Sequence, residues 1–344
     1  MNAQIETKWN ITKVQLFMFL FVLQSGTTFI NLQYRVVNAG NQHGWLIFLG
    51  VTAIHLLILI AYIKIEKWFK PNRFEVAIFK LYWLFLLFVF LSKVVFVSQL
   101  WVFQETPSWV ILLMIGIVFV YALTAQAAVP LNLPILLAPF FVILIGTLFL
   151  SWKELNWLNL LPLSGLTGKE TFDAGFQSLS AFNGMEALLF LQPFLNQTNK
   201  IRVREVVIFK VIFGLFLTMT IVFTLLLFSL QEIKVVPFAL MYLLKSQEVT
   251  FIERLDLIFM CLWISWSIVS IILYGFLIFR TTSVKIPTIR GLSLKIIPIF
   301  ILASFFLNRF DITELHNGML FLSLVFTVVF PAFICLREKV MKRA

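Results

Sequence analysis

Glu186 is a carboxylate in the middle of an apolar stretch that runs from about residue 172 to residue 195. An acidic side chain at the centre of a bilayer costs about 2.5–3.5 kcal/mol, so it needs a partner or a proton. Asn183 and Gly184 precede it and Pro193 follows it, which predicts an interrupted helix. Lipid tolerates an interruption where the freed backbone lines a cavity or packs against protein. We therefore predict a midplane site in which Glu186 binds an amine or cation, or accepts a proton. The alternative is a hydrogen-bonded carboxyl that joins helices.

A second polar interruption lies in the first apolar stretch of the chain. It comprises Gln24, Ser25, Gly26, Thr27 and Thr28. The half-helix that follows such a break offers unpaired N–H groups to an anionic group such as a carboxylate. The ligand-binding residues predicted at the two interruptions are Gln24, Ser25, Gly26, Thr27, Phe182, Asn183, Gly184 and Glu186. The alternative for the first interruption is ordinary packing of small residues between helices.

Lys93 is a base inside the third apolar stretch, ten residues before Phe103 and well past Lys80. One interpretation is an ion pair with Glu186, in which each charge offsets the desolvation of the other. A second is a contact with the carboxylate of a ligand. A third is a lysine whose long side chain still reaches the membrane interface.

Polar and aromatic side chains also recur along the eighth apolar stretch. Trp263, Ser267, Ser270 and Tyr274 follow one another at spacings of four, three and four residues. In an α-helix these positions share one face. That face can line a pocket, and we assign Trp263 and Ser267 to the ligand site. Hydrogen bonding between helices is the favoured alternative.

Membrane helices are the elements that must position these side chains. The chain has 344 residues, of which 61% are hydrophobic and 12% are charged, whereas a soluble domain is about 25% charged. A spanning helix needs about 20 mostly apolar residues, and ten stretches qualify. They are approximately 12–37, 44–64, 75–103, 108–127, 132–152, 172–195, 206–230, 254–280, 292–308 and 313–336.

The formal net charge is +11, and its distribution predicts the orientation of the chain. Lys and Arg concentrate in every second connection, which is typical of cytoplasmic loops rather than of nucleic-acid binding. These residues are Lys64, Lys67, Lys70 and Arg73, then Lys200, Arg202 and Arg204, then Arg280, Lys285, Arg290 and Lys295, and finally Arg337, Lys339, Lys342 and Arg343. Ten spans with both termini in the cytoplasm satisfy this pattern, and we expect no nucleic-acid partner.

The chain divides into two halves of five predicted helices within one polytopic membrane domain, residues 1–344. The halves cover about 12–152 and 172–336, and the first helix of each carries a polar interruption. Five is an odd number, so the two halves must have opposite orientations in the membrane. This arrangement predicts inverted repeats around a central site.

Signatures of intramembrane enzymes are missing from the sequence. It contains no HExxH motif, no His/Cys cluster, no GxSxG motif and no phosphate-binding loop. We therefore expect a protein that is not an enzyme and that binds no metal or cofactor. Cys261 and Cys335 lie in different apolar stretches, and we expect two free, buried thiols.

The chain resembles the spore germination permease family, the B subunits of nutrient germinant receptors, within the amino acid–polyamine–organocation superfamily. The resemblance covers nearly the whole chain. It rests on residues 11–15 (ITKVQ), on 159–163 (NLLPL), and above all on 180–186 (SAFNGME), which run on into 189–194 (LFLQPF). It implies an all-α LeuT-like fold of ten helices, a 5+5 inverted repeat with interrupted helices 1 and 6.

The resemblance also implies a function. The family senses small nutrients, usually amino acids, at the inner membrane of the dormant spore, beside an A-type membrane subunit and a C-type lipoprotein subunit. The pocket would lie between the breaks at 24–28 and 182–186, with the third and eighth helices contributing. The alternatives are a proton-coupled amino acid transporter, with Glu186 carrying the proton, and a conduit for ions or water.

Overall fold

The computed structural model describes residues 9–161, 165–195, 200–246, 254–281, 287–307 and 312–341. Some predicted features lie outside these ranges. They are Lys285, Lys342 and Arg343 of the basic segments, and Pro162 and Leu163 of the motif at 159–163.

The described residues form α-helices joined by short turns, and they contain no strand. In the first half of the chain the helices are α1 (Lys13–Ser25), α2 (Leu32–Gly40), α3 (Gly44–Ile65), α4 (Arg73–Trp101), α5 (Ser108–Thr124), α6 (Ala128–Leu136) and α7 (Ala138–Phe149). In the second half they are α8 (Gly168–Ser178), α9 (Ala187–Leu191), α10 (Val203–Leu227), α11 (Leu230–Val235), α12 (Ala239–Ser246), α13 (Leu255–Arg280), α14 (Ile289–Leu307), α15 (Ile312–Leu324) and α16 (Phe330–Met341).

Six helical stretches among the described residues are long and apolar enough to cross a membrane. They are Leu32–Trp68, Arg73–Trp101, Ala128–Glu154, Val203–Leu227, Leu255–Arg280 and Glu314–Met341. Two shorter apolar helices are Lys13–Ser25 and Ser108–Thr124. Length and composition thus define a multi-pass membrane protein. Each of the ten predicted stretches contains helix, but a count of ten spanning helices stays a prediction.

Both predicted interruptions are present in the structure. The helix α1 ends at Ser25, and α2 begins only at Leu32. The helix α8 ends at Ser178 and passes through a 3-10 turn and a further turn before α9 begins at Ala187. The two broken helices therefore each supply a half-helix on either side of a non-helical segment.

The start of α8 lies four residues before the predicted stretch at 172–195 because the sequence supplies a capping box. The Thr167 hydroxyl accepts a hydrogen bond from the Glu170 backbone N–H, and the Glu170 carboxylate accepts one from the Thr167 backbone N–H. That N–H and the Thr167 hydroxyl hold the pKa of Glu170 below its usual value. The Asn41 side-chain amide also donates to Glu170, at 2.8 Å, which ties the start of α8 to the end of α2.

The predicted stretch at 132–152 is divided between two helices. Pro134 lies inside α6 and Pro139 lies in the first turn of α7. Proline has no N–H to donate and its ring crowds the preceding turn, so the helix bends at this point. The stretch Ala128–Glu154 is also peripheral, since 28% of its apolar window is buried, against 78% for α4. The helix α4 is thus the central scaffold of the bundle.

A π-helical turn at Val325–Val329 separates α15 from α16. Such turns release a backbone carbonyl from the helical pattern. The Tyr62 hydroxyl on α3 donates to the Thr327 carbonyl and satisfies it. This bond joins the end of α3 to the last helical stretch.

One end of the bundle is closed by contacts between distant segments. The rings of Trp9 and Phe194 stack with centroids 3.9 Å apart, and the Ile11 N–H donates to the Phe194 carbonyl at 3.0 Å. The Lys13 ammonium pairs with the Glu205 carboxylate at 2.7 Å. The segment before α1 is therefore fixed to the end of α9 and to the start of α10.

Candidate functional site

Hydroxyl groups from α13 donate hydrogen bonds to backbone carbonyls at the first break. Carbonyls at the C-terminal end of a helix lack intrahelical partners and must find others. The Ser267 hydroxyl donates to the Gly26 carbonyl at 2.9 Å, and the Ser270 hydroxyl donates to the Leu23 carbonyl at 3.2 Å. The Trp266 indole N–H donates to the Ser25 hydroxyl at 2.9 Å. Interhelical hydrogen bonding by Ser267 and Ser270, the favoured interpretation, is confirmed.

We expect Ser267→Ala and Ser270→Ala each to lower the free energy of unfolding by about 1–3 kcal/mol, because each leaves a buried carbonyl unpaired. Ser265→Ala is a matched control on the same helix, since its hydroxyl donates to the Cys261 carbonyl within α13. Thermal unfolding of the purified variants measures the difference. Equal stability of all three variants would mean that the hydrogen bonds from α13 do not stabilise the first break.

The second break depends on the backbone of Gly184. Its φ is +86°, a conformation that costs a residue with a side chain about 1–2 kcal/mol. A Cβ at this position would lie 2.6 Å from the Leu23 side chain and 2.8 Å from the Tyr274 hydroxyl. The second break therefore touches the end of α1 and the polar face of α13 at once.

Hydrogen bonds also join the two breaks directly. The Thr28 hydroxyl donates to the Ser180 carbonyl at 3.3 Å. The Asn183 side-chain amide donates to the same carbonyl at 2.9 Å and to the Met319 sulfur at 3.5 Å. The residues predicted at 24–28 and at 182–186 are thus brought together in the interior of the bundle.

Glu186 is fully buried at the end of the second break. One carboxylate oxygen, Oε1, accepts a hydrogen bond from the Trp83 indole N–H at 2.8 Å. The other, Oε2, has no hydrogen-bond partner among the described residues. Trp83 was not among the residues predicted from the sequence, although a tryptophan inside a spanning stretch is unusual, because tryptophans favour the membrane interface.

The ion pair with Glu186, one of the three interpretations of Lys93, is not formed in the structure. The Lys93 ammonium donates to the Asn31 side-chain oxygen at 2.6 Å, just before α2. Lys93 lies ten residues beyond Trp83 on α4, which is about 15 Å along the helix axis. The two charges therefore lie at different depths, and Lys93 contacts the far side of the first break. Contact of Lys93 with a ligand carboxylate stays a prediction.

Lys210 on α10 is a buried base that was not among the residues predicted from the sequence. Its side chain is 1% exposed, and its ammonium lies 3.9 Å from the Phe182 ring centre and 4.8 Å from that of Phe213. The His55 ring stacks on Phe182 at 3.9 Å. Lys210 has no hydrogen-bond acceptor among the described residues. The available signal was a single charge between Phe209 and Val211 in an apolar stretch.

Several buried polar atoms without hydrogen-bond partners lie at the breaks and on the facing helices. Among the described residues they include both side-chain polar atoms of Gln24, the Thr27 hydroxyl, Asn183 Oδ1, Glu186 Oε2, Trp263 Nε1 and the Tyr274 hydroxyl. Buried polar groups are almost always hydrogen-bonded, to protein or to water. Their presence on the two breaks and the facing helices fits a site that a polar ligand or water completes.

Trp263 and Ser267, the residues predicted on α13, differ in their connection to the breaks. Ser267 bonds the first break, whereas Trp263 is fully buried with its indole N–H unpaired among the described residues.

The expectation of buried thiols is wrong for Cys261, which is exposed. Within the described ranges no group of three His, Cys, Asp or Glu side chains could hold a metal ion.

The helical bundle with two interrupted helices and a buried polar centre is that of a multi-pass membrane protein. The family model described as spore germination protein matches residues 10–314, about nine-tenths of the chain. The chain therefore belongs to the spore germination protein family, as the sequence predicted. No protein of curated function matches the sequence.

Proposed function

We propose that this chain is the membrane subunit of a nutrient germinant receptor, and that it binds a small nutrient, an amino acid, between the two breaks. The group of unpaired buried polar atoms at Gln24, Thr27, Asn183 and Glu186 carries this proposal. Membership of the spore germination protein family supports the biological role.

The chemistry of the breaks fits the two charged ends of an amino acid. Glu186 Oε2 is an unused acceptor for an α-ammonium group. Backbone N–H groups freed at a break are suited to a carboxylate. Phe182 and Met185 are buried beside these groups and supply apolar surface for a side chain.

The two breaks can act as hinges, and this property supports a signalling role. Non-helical segments absorb changes in backbone angles while the half-helices move as rigid bodies. A ligand shifts such a two-state equilibrium only by its differential affinity for the two states. Binding at both breaks would make the ligand sensitive to their relative position, and the changed state would trigger germination.

The remaining features of the proposal follow from the family and the charge pattern. The architecture is a LeuT-like 5+5 inverted repeat of ten spanning helices with both termini in the cytoplasm. The protein resides in the spore inner membrane, and its partners are an A-type membrane subunit and a C-type lipoprotein subunit of the same receptor. The similar positions of the two breaks, at the start of each half, support the repeat.

A ligand panel on the purified full chain tests the site. We expect one L-amino acid, at 100 times its dissociation constant, to stabilise the fold by about 2.7 kcal/mol. The shift in thermal unfolding should disappear in Glu186→Gln and in Asn183→Leu, and persist in the matched control Glu105→Gln, which alters an exposed carboxylate. A shift that survives in both site variants would refute the assignment of the breaks as the site.

A proton-coupled amino acid transporter is the second candidate. The unpaired Oε2 of Glu186 favours it, because this oxygen can hold a proton inside the bundle. Uptake of the amino acid by proteoliposomes, driven by a pH gradient and abolished in Glu186→Gln, would establish transport. Binding of the amino acid without its uptake would favour the receptor role over transport.

A further inference from the structure

A long groove runs along the outside of the bundle between α5 and α14. The two helices pack against each other at its floor, where a Cβ added to Gly116 would lie 3.3 Å from the Phe300 ring. The volume of the groove is about 910 Å³. Its lining extends along α5 from Trp109 to Thr124, which is about 22 Å along the helix axis. The groove therefore follows almost the whole length of α5.

The walls of the groove are apolar and open to the surroundings of the protein. Leu113 and Ile117 on α5, and Ile297 and Ile301 on α14, line the groove, and each side chain is more than half exposed. In a multi-pass membrane protein such an outer surface faces the hydrocarbon of the bilayer. Two helices with a furrow between them surround an apolar chain on three sides, so the chemical complement of this surface is a hydrocarbon chain.

The start of α14 lies at the Thr124 end of the groove. The helices α5 and α13 run in the same direction, since Gly275 lies against the Phe119 ring and the Arg280 guanidinium donates to the Ala125 carbonyl further along. Only eight residues then separate the end of α13 from Ile289, the first residue of α14. A connection this short reverses the chain into an antiparallel neighbour.

Aromatic residues mark both ends of the groove. Trp109 lines one end, and Tyr121 lines the other, near Thr124. Trp and Tyr are enriched where the hydrocarbon core of a membrane meets the headgroups. A chain bound in the groove therefore has its polar end at one of these two positions.

A positive charge lies at the Thr124 end. Arg290 is exposed on the first turn of α14. It shares a helical face with Ile297 and Ile301, which follow it by seven and eleven residues and line the groove. The guanidinium is thus placed beside the end of the groove. Basic groups next to a furrow between membrane helices suit the anionic headgroup of a lipid.

We propose that this groove binds an anionic phospholipid, with an acyl chain along α5 and α14 and the phosphate at Arg290. The guanidinium offers paired donors to the phosphate oxygens. The helix α5 also packs against α13, which donates hydrogen bonds to the first break. The lipid therefore stabilises the scaffold on which that break depends. The groove includes no residue of either break, so this inference does not rest on the proposed nutrient site.

The shape of the groove favours a lipid over a membrane helix of a partner protein. Contacts between membrane helices are enriched in small residues, which let the two backbones approach. The walls here are large aliphatic side chains such as Ile117 and Ile297, and Gly116 on the floor is covered by Phe300. A narrow acyl chain fits between such walls more closely than a helix does.

A lipid titration tests the headgroup. The full chain is purified in detergent, freed of lipid and titrated with dioleoyl phosphatidylglycerol or dioleoyl phosphatidylcholine, and thermal unfolding is followed. The two lipids have the same acyl chains, so a difference reports the charge of the headgroup. We expect saturable stabilisation by phosphatidylglycerol, with half-saturation at a mole fraction at least about fivefold lower than for phosphatidylcholine. Equal titrations for the two lipids, or an equal response to glycerol phosphate alone, would overturn the proposal.

Two variants locate the lipid, each beside a matched neighbour. Arg290→Gln should raise the half-saturating mole fraction of phosphatidylglycerol about fivefold. Lys295→Gln removes the same charge from an exposed position of α14 outside the groove and should leave it unchanged. Ser293→Phe fills the groove and should abolish the saturable response, whereas the exposed Leu294→Phe should preserve it. Unchanged titrations in Arg290→Gln and Ser293→Phe, or an equal effect of Lys295→Gln, would overturn the proposal.

Glu186→Gln separates this proposal from the proposed function. The lipid response should be the same in this variant as in the unaltered chain, because the groove does not include Glu186. Loss of the lipid response in Glu186→Gln would overturn the assignment to the groove, whereas loss of the amino acid response alone would leave it intact. A normal lipid response in Ser293→Phe, together with a lost nutrient response of the assembled receptor, would make the groove a docking site for a partner helix and overturn the lipid proposal.

Discussion

Gly26→Ala is expected to lower the free energy of unfolding by several kcal/mol. A Cβ at this position would lie 2.3 Å from the Ser270 Cβ and 2.9 Å from the Val22 carbonyl oxygen. The Ser270 Cβ is bonded directly to the backbone of α13, so no side-chain rotation can relieve the contact. The helices α1 and α13 must separate, which costs about 1–3 kcal/mol from overpacking. Separation also lengthens the Ser270–Leu23 hydrogen bond, with a further loss of about 1 kcal/mol.

Gly184→Ala should lower the free energy of unfolding by a similar amount, with backbone strain as an additional cause. The left-handed backbone adds its strain to the contacts with Leu23 and Tyr274. Both substitutions should also abolish ligand response, because they change the distance between the breaks. Thermal or denaturant unfolding of the purified chain measures the stability.

Two other glycines serve as matched controls for these alanine substitutions. Gly50 lies in α3 and Gly146 in α7, and nothing lies within 4 Å of a Cβ added to either. Alanine is the better helix former by about 0.8–1.0 kcal/mol, so these variants should be neutral or more stable. If Gly26→Ala matched Gly50→Ala in stability, α1 and α13 would not approach as closely as the structure shows.

The sequence predicted the breaks and the buried carboxylate because that information is local. Gly26, Gly184 and Asn183 are residue types that weaken a helix wherever they occur in it. The start of α8 was also readable, since Thr167 and Glu170 have the spacing of a capping box, but the apolar pattern alone placed it later.

The partners of the charged residues could not be predicted from the same information. Pairing Lys93 with Glu186 assumed a common depth, whereas depth depends on where each helix begins and how it is broken. The structure places Trp83 at Glu186 and Asn31 at Lys93. Lys210 was missed because it follows the basic segment at 200–204, and a base near a helix start is usually one that reaches solvent.

Lys210→Met is expected to raise the stability of the folded protein. A buried ammonium without a counter-ion costs several kcal/mol after relaxation. The cation–π contacts with Phe182 and Phe213 offset about 2 kcal/mol of this cost, because they are desolvated. Methionine fills a similar volume with a flexible apolar side chain. The net gain in the free energy of unfolding should therefore be at least about 1 kcal/mol.

The measurement is thermal unfolding of the Lys210→Met variant beside Lys169→Met, an exposed lysine whose replacement should have little effect. Phe182→Leu completes a double-mutant cycle with Lys210, and a coupling of about 0.5–2 kcal/mol would assign the cation–π contact. A loss of stability in Lys210→Met would mean that the ammonium has a stronger partner than these rings. A gain in stability together with a lost nutrient response would mean that Lys210 is needed for the function of the second break, although it destabilises the fold.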